Sequence, residues 1–394
     1  MFASFILVII YLSFISLGLP DSLLGSAWPS MYYLLDVPPR YIGFISMIIS
    51  GGTVVSSVFS AKIINRFGTG IVTAFSVLIT AAALIGFSIS GAFWELLLFA
   101  IPLGLGGGSV DAALNNYVAL HYKARHMSWL HCFWGVGASL GPIIMSSFLI
   151  SKHSWTLGYM TVGIIQLCLT AALFASLPLW KNKTAQKTRG GRLAGQTNST
   201  NYKSINFKQL FHIAGVKQAL AAFFCYCSVE WITGLWGSSY LVIVKNIPPE
   251  IAAQWIAFFY IGITLGRFIS GFVTMKLNNK QMIRLGQIIT GGGLVFLILP
   301  LGNAALLPAL FMIGLGCAPI FPSLLHETPK NFGEGNSQAV IGIQMASAYI
   351  GTTLMPPVFG WAASYINFNI FPVFIGAILV ILIIMTETLN RAVR

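Results

Sequence analysis

Apolar runs of about 18 or more residues recur along the chain, and that length is what a helix needs to cross the hydrocarbon core of a bilayer. Charged residues make up only 8% of the 394 positions, whereas soluble domains carry about 25%. Too few water-facing side chains are present to cover a soluble core of this size. A mean hydropathy of +0.82 agrees. A transmembrane barrel would alternate apolar and polar positions over segments of about ten residues, and these runs do not alternate. The expected fold is therefore an all-α membrane protein, with twelve transmembrane helices in two pseudo-symmetric six-helix bundles.

The runs fall at 4–33, 41–63, 70–90, 94–119, 128–150, 157–180, 214–243, 252–275, 281–300, 304–326, 337–360 and 368–388. Residues 181–208, rich in Lys, Arg, Thr, Asn and Gly, read as a solvated cytoplasmic linker between an N-terminal bundle (1–180) and a C-terminal bundle (209–394). Met1 to Leu19 has the apolarity of a signal peptide but lacks a basic start, and Pro20-Asp21 is not a small-residue cleavage site. It is read as the first span. The net charge of +13 does not point to nucleic acid. Eighteen Lys and Arg residues lie in the even-numbered turns, the linker and the C-terminal tail, against three (Arg40, Lys152, Lys245) in the odd-numbered turns. That bias predicts both termini in the cytoplasm of a cell whose plasma (inner) membrane holds the chain. Arg267 alone falls well inside a span. The five cysteines sit in apolar segments without metal or redox spacing and read as packing residues. No metal site and no cofactor is expected.

Inside the fourth span runs Leu103-Gly-Leu-Gly-Gly-Gly-Ser-Val-Asp111-Ala-Ala-Leu-Asn115-Asn116-Tyr117. Gly104, Gly108, Asp111 and Asn115 recur at i, i+4, i+7 and i+11, so one helix face passes from bare backbone to polar groups. A carboxylate there is costly unless it faces a cavity or partners. Asp21 and Glu230 also lie deep. A desolvated carboxyl holds its proton more firmly than one in water, which suits Asp21, Asp111 and Glu230 to proton coupling. Pro20, just before Asp21, is compatible with a helix broken around a site. Asn115, Asn116 and Gln344 can each donate and accept, as sugar hydroxyls require. Trp28, Trp134 and Trp231 offer ring faces for stacking, while Trp94, Trp155, Trp180 and Trp361 fit an interfacial belt. The glycine run is not a phosphate loop, because no Gly-Lys-Ser/Thr follows. Catalysis and ATP use are not indicated, so the chain is not expected to be an enzyme.

The halves echo each other. Gly104-Leu-Gly106 returns as Gly314-Leu-Gly316, Asp21-x-x-x-Gly25 as Glu230-x-x-x-Gly234, and Gly137-Ala-Ser-Leu-Gly-Pro142 as Gly351-Thr-Thr-Leu-Met-Pro356. Repeats of this kind are typical of secondary transporters. Two six-helix halves with Ala61-Lys-Ile-Ile-Asn65-Arg66-Phe-Gly68-Thr-Gly70 between helices 2 and 3 resemble the major facilitator superfamily, whose loop there reads Asp-Arg-x-Gly-Arg. Asn65 stands in place of the usual acid. Gly266-Arg267-Phe-Ile-Ser-Gly271 resembles the degenerate second copy. Within that superfamily the chain is similar to the fucose:proton symporter family. Gly18-Leu-Pro-Asp21 matches its helix 1 aspartate, Asp111-Ala-Ala-Leu-Asn115-Asn116 resembles Glu-Thr-Ala-Ala-Asn-Pro, and Trp129-Leu-His131-Cys-Phe-Trp134-Gly-Val-Gly137 resembles Ala-Gln-x-Phe-Asn-x-x-Gly of helix 5.

The resemblance implies alternating-access, proton-coupled uptake of a hexose or related sugar by a chain that works as a monomer among membrane lipids, with Asp111 handling substrate and proton and His131 at the sugar-binding glutamine. Sodium in place of the proton would suit the same oxygens. The alternative is proton-antiport efflux of hydrophobic compounds, which favours apolar, Met-rich cavities over clustered Asn, His, Asp and Trp. A non-transporting sensor would need no deep carboxylates.

Overall fold

The computed structural model describes residues 2–122, 124–190 and 211–393. Its long helices are α1 (Phe2–Leu34), α2 (Ile42–Phe67), α3 (Thr69–Ile89), α4 (Phe93–His121), α5 (Ala124–Lys152), α6 (Trp155–Gly190), α7 (Val216–Ile243), α8 (Pro249–Val273), α9 (Asn279–Ile298), α10 (Leu306–Cys317), α11 (Ile320–Phe332), α12 (Glu334–Tyr365) and α13 (Phe371–Ala392). Among the described residues, 11 segments are long and apolar enough to cross a membrane. One of them, Asn303–Phe332, contains both α10 and α11, which break only at Ala318 and Pro319. The 32-residue α12 is long enough for a twelfth crossing. The all-α, two-bundle expectation holds.

The helix pairings repeat between halves. In the first, α1 packs on α5, α2 on α4, and α3 on both α4 and α6. In the second, α7 packs on α12, α8 on α10, and α9 on α10 and α13. The sequence echoes lie at these seams. A Cβ on Gly104 would strike the carbonyl oxygen of Ile49, and one on Gly314 that of Phe259. A Cβ on Gly137 would strike the Ile15 carbonyl and one on Gly351 that of Phe224. Only glycine lets these backbones come so close, a device membrane helices use where lipid offers no hydrophobic drive to associate. Across the halves, α1 meets α7, α2 meets α12 and α5 meets α8. One core cluster runs through that junction, from Leu23 and Trp28 to Tyr226, Trp236 and Phe259.

Three expectations need correction. The first helix is not broken at Pro20: α1 is continuous, with Pro20 and Pro29 inside it. The carbonyl that Pro20 leaves without a helical donor, that of Ser16, accepts from Gln166 Nε2 at 2.7 Å instead. Second, α6 continues to Gly190, so the start of the expected linker is helical; its remainder, 191–208, lies outside the described residues. Third, Trp94 and Trp361 are exposed as a belt requires, but Trp155 and Trp180 are buried. Trp155 packs on Tyr159, and Trp180 on Tyr117.

Candidate transport site between the halves

Helices α1 and α7 touch where a Cβ on Gly25 would meet the carbonyl oxygen of Gly234. Asp21 and Glu230 each lie one turn before these glycines, so the echoed acids flank the crossing of the two halves. Trp134 Nε1, from α5, donates to Asp21 Oδ2 at 2.8 Å. The Arg267 guanidinium, from α8, lies over the Trp134 ring, 5.0 Å from its centroid. Its Nη2 donates to Glu230 Oε1 at 3.4 Å. Asp21, Trp134, Arg267 and Glu230 thus form one chain of contacts through α1, α5, α8 and α7. The intramembrane arginine of the sequence finds its acid in Glu230, as a half-buried charge must. One face of the Trp134 ring is taken by a cation, which leaves at most the other for a substrate.

Asp111 sits on the same interface and is half-buried. Asn115 Nδ2 donates to its Oδ1 at 2.8 Å and to its backbone oxygen at 3.0 Å, so the carboxamide, one turn on, is committed to the acid. Asp111 is within electrostatic reach of Asp21 in its own half and of Tyr349 from α12 in the other. Tyr349 also lies near Ser57 of α2. His131 is exposed and stands edge-on to Phe14, with centroids 6.0 Å apart. It lies within electrostatic reach of Arg267. Trp231 is half-buried and lines a cavity with Asp21.

Two expected substrate contacts lie elsewhere. Trp28 is fully buried in the core, and its Nε1 donates to the Pro39 carbonyl at 2.7 Å. Gln344 is 1% exposed and its Oε1 accepts from Thr328 at 3.0 Å, within the second half. Both are held by packing that offers a ligand no approach. Asn116 is on α4, but its side chain lies outside the described residues. Among the described residues, no group of three or more His, Cys, Asp or Glu side chains could hold a metal ion.

Sequence reading missed Tyr349 and the hydroxyl face of α2. That face did leave a signal. Ser46, Ser50, Thr53 and Ser57 recur at i, i+4, i+7 and i+11, the same spacing as the glycine–aspartate face of α4. The two faces lie together: Thr53 Oγ1 donates to the Gly104 carbonyl at 3.2 Å and Ser57 Oγ to that of Gly108 at 3.5 Å.

The sequence profile of the Major Facilitator Superfamily matches residues 10–336 and 246–391. The glucose/mannose transporter GlcP of Bacillus subtilis (strain 168) is 23% identical over 366 residues, covering 89% of this chain and 86% of its own. Bypass of stop codon protein 6 of Saccharomyces cerevisiae is 22% identical over 391 residues, covering 91% of this chain and 77% of its own. Among solved structures, a D-xylose-proton symporter superimposes with a TM-score of 0.78 at 12% identity, covering 100% of this chain and 98% of its own. A nucleoside transporter, NupG, in mutant form, superimposes with a TM-score of 0.76 at 13% identity, covering 98% of this chain and 99% of its own.

Proposed function

The chain belongs to the major facilitator superfamily and is a multi-pass membrane transporter rather than an enzyme; from that premise we propose that it takes up a hexose or related sugar together with protons, as a member of the fucose:proton symporter branch. Asp111 carries this reading. It is a half-buried carboxylate with a carboxamide bound to it in its own half and a tyrosine of the other half within its reach. A polyol lying there would give hydroxyls to acceptors of both halves at once and hold them together, as an alternating-access site near the midplane must. His131 and the open face of Trp134 are the remaining contacts that a pyranose would use. Two of the similar proteins support this reading, one a glucose/mannose transporter and the other a D-xylose-proton symporter. The basic residues of the even-numbered turns support an orientation with both termini in the cytoplasm.

Asp111 is the group that holds the proton. Sugar binding favours the protonated carrier, because a neutral carboxyl can donate to a sugar oxygen as well as accept. Asp111→Asn keeps that shape without the charge. In proteoliposomes it is expected to exchange labelled sugar by counterflow but not to accumulate it against a gradient. Accumulation equal to the parent would remove Asp111 from coupling. Movement of hydrophobic compounds, and of no sugar in a labelled panel, would favour the proton-antiport exporter instead.

A further inference from the structure

The outer face of the C-terminal half carries a groove of about 730 Å³ between α9 and α13. Two polar ties close one end of it. Arg284 Nε and Nη2 donate to Glu387 Oε1 and Oε2 at 2.6 and 2.7 Å, and Gln287 Nε2 donates to Thr386 Oγ1 at 3.0 Å. Beyond these ties the walls are apolar. Ile288 and Val295 of α9 and Val373 and Val380 of α13 are each more than half exposed, so the groove opens outward to the bilayer. Its floor holds two glycines. A Cβ on Gly376 would meet nothing within 4 Å, and one on Gly291 only a Leu379 methyl at 3.7 Å. These glycines close no backbone seam, as Gly104 and Gly314 do. Glycine is a poor helix former, and here its effect is to leave a trough that a larger side chain would fill. The groove is lined from Arg284 to Ile298 of α9, a rise of about 21 Å, against about 15 Å for one leaflet of the hydrocarbon core.

The polar end is basic. Lys280 stands one turn before Arg284 on α9, and Arg391 one turn after Glu387 on α13. Neither has an ion-pair partner among the described residues. Lys280, Arg284 and Arg391 against Glu387 alone leave a surplus of positive charge at this mouth. Arg284 keeps donors after both bonds to Glu387, because a guanidinium carries five N–H groups. An apolar trough longer than a leaflet, ending at unpaired cations, is complementary to a lipid with an anionic headgroup. It suits a second copy of the chain poorly. Two copies in one membrane share an orientation, so a two-fold axis along the membrane normal would set two basic mouths side by side.

We propose that this groove binds one anionic phospholipid. An acyl chain lies between α9 and α13 over Gly291 and Gly376, and the phosphate is met by Lys280, Arg391 and the open edge of Arg284. The lipid braces two helices that polar groups tie at one end only. The site is separate from the cavity between the halves and does not depend on which solute passes there.

The test is native mass spectrometry of the purified, delipidated full chain in a neutral detergent, titrated with phosphatidylglycerol or with phosphatidylcholine of the same acyl chains. The parent is expected to bind one phosphatidylglycerol roughly tenfold or more tightly than phosphatidylcholine. Lys280→Gln/Arg391→Gln should erase that preference and leave the Arg284–Glu387 pair intact. Gly291→Leu/Gly376→Leu should weaken the binding of both lipids, because the added side chains occupy the trough. Thermal unfolding of each variant shows that it is folded. A phosphatidylglycerol with a diazirine in its acyl chain gives a readout on the parent alone, where it should crosslink to α9 and α13. No preference for phosphatidylglycerol in the parent, a preference that survives loss of both cations, or crosslinks confined to other helices overturns the proposal. A lipid-free dimer that the two leucines abolish also overturns it and gives the groove to a second copy.

Discussion

Asp21 in α1 and Glu230 in α7 occupy the same place in the two halves, one turn before the glycines at which these helices touch, yet their charges are met in different ways. Glu230 has Arg267, a fixed counter-charge from its own half. Asp21 has one indole N–H and a wall of hydroxyls. The surrounding backbone is closely matched, since Gly104 and Gly314, or Gly137 and Gly351, close equivalent seams against equivalent carbonyls. Duplication therefore preserved the packing and let the chemistry diverge. A carboxylate with a permanent guanidinium partner is a structural tie. One held by a single neutral N–H has, among the described residues, no fixed counter-charge.

The largest effect should come from breaking the tie. Arg267→Met would strand a half-buried carboxylate at Glu230 and remove the cation from the Trp134 face. Losing one member of such a pair costs about 3 kcal/mol or more. Thermal unfolding in detergent should show a large drop, and the double variant Glu230→Gln/Arg267→Met should recover most of it. If the single variant is as stable as the parent, the pair is not structural and the contrast with Asp21 fails.

The matched seams give the next test. Gly104→Ala and Gly314→Ala each set a methyl against a neighbouring backbone carbonyl, which cannot rotate away. Each should cost about 1–3 kcal/mol, and by similar amounts. Gly342→Ala is the control, because nothing lies within 4 Å of its added carbon; alanine there should be neutral or stabilising by up to about 1 kcal/mol. Unequal losses at 104 and 314 would show that the halves do not share their packing.

Those seams also explain why the fold was legible in the sequence. Twelve apolar runs and a basic linker region state the architecture directly, and the glycine echoes fall where backbones must touch. Asp21, Asp111, Trp134 and Arg267 could be singled out because polar groups in apolar helices are conspicuous. Their partners could not be read so easily. Tyr349 is an aromatic in an apolar helix, and such residues are usually packing. Ser46, Ser50 and Thr53 form a face only when counted at helical spacing, and each alone is weakly polar. Trp28 and Gln344 misled for the opposite reason: their chemistry suits a ligand, but a carbonyl or a hydroxyl of the protein already holds each one. Pro20 suggested a broken helix because the sequence does not show that Gln166, far along the chain, takes up the carbonyl it frees.

The smallest expected effect is at the join between the two acids. Trp134→Phe keeps a ring beneath Arg267 and removes only the N–H that Asp21 accepts. One such hydrogen bond to a charged group is worth about 1.5–3 kcal/mol, and a neutral one about 1. A loss near the lower figure is expected. Stability alone would not separate a lost bond from poorer packing by the smaller ring. A double-mutant cycle does. Trp134→Phe and Asp21→Leu should couple by about 1 kcal/mol, because each removes the same bond, whereas Trp134→Phe and Glu230→Gln should be nearly additive. Additivity in the first pair would mean that the indole does not hold Asp21. Strong coupling in the second would mean that the two acids act as one charged unit, and that the halves differ less than their partners suggest.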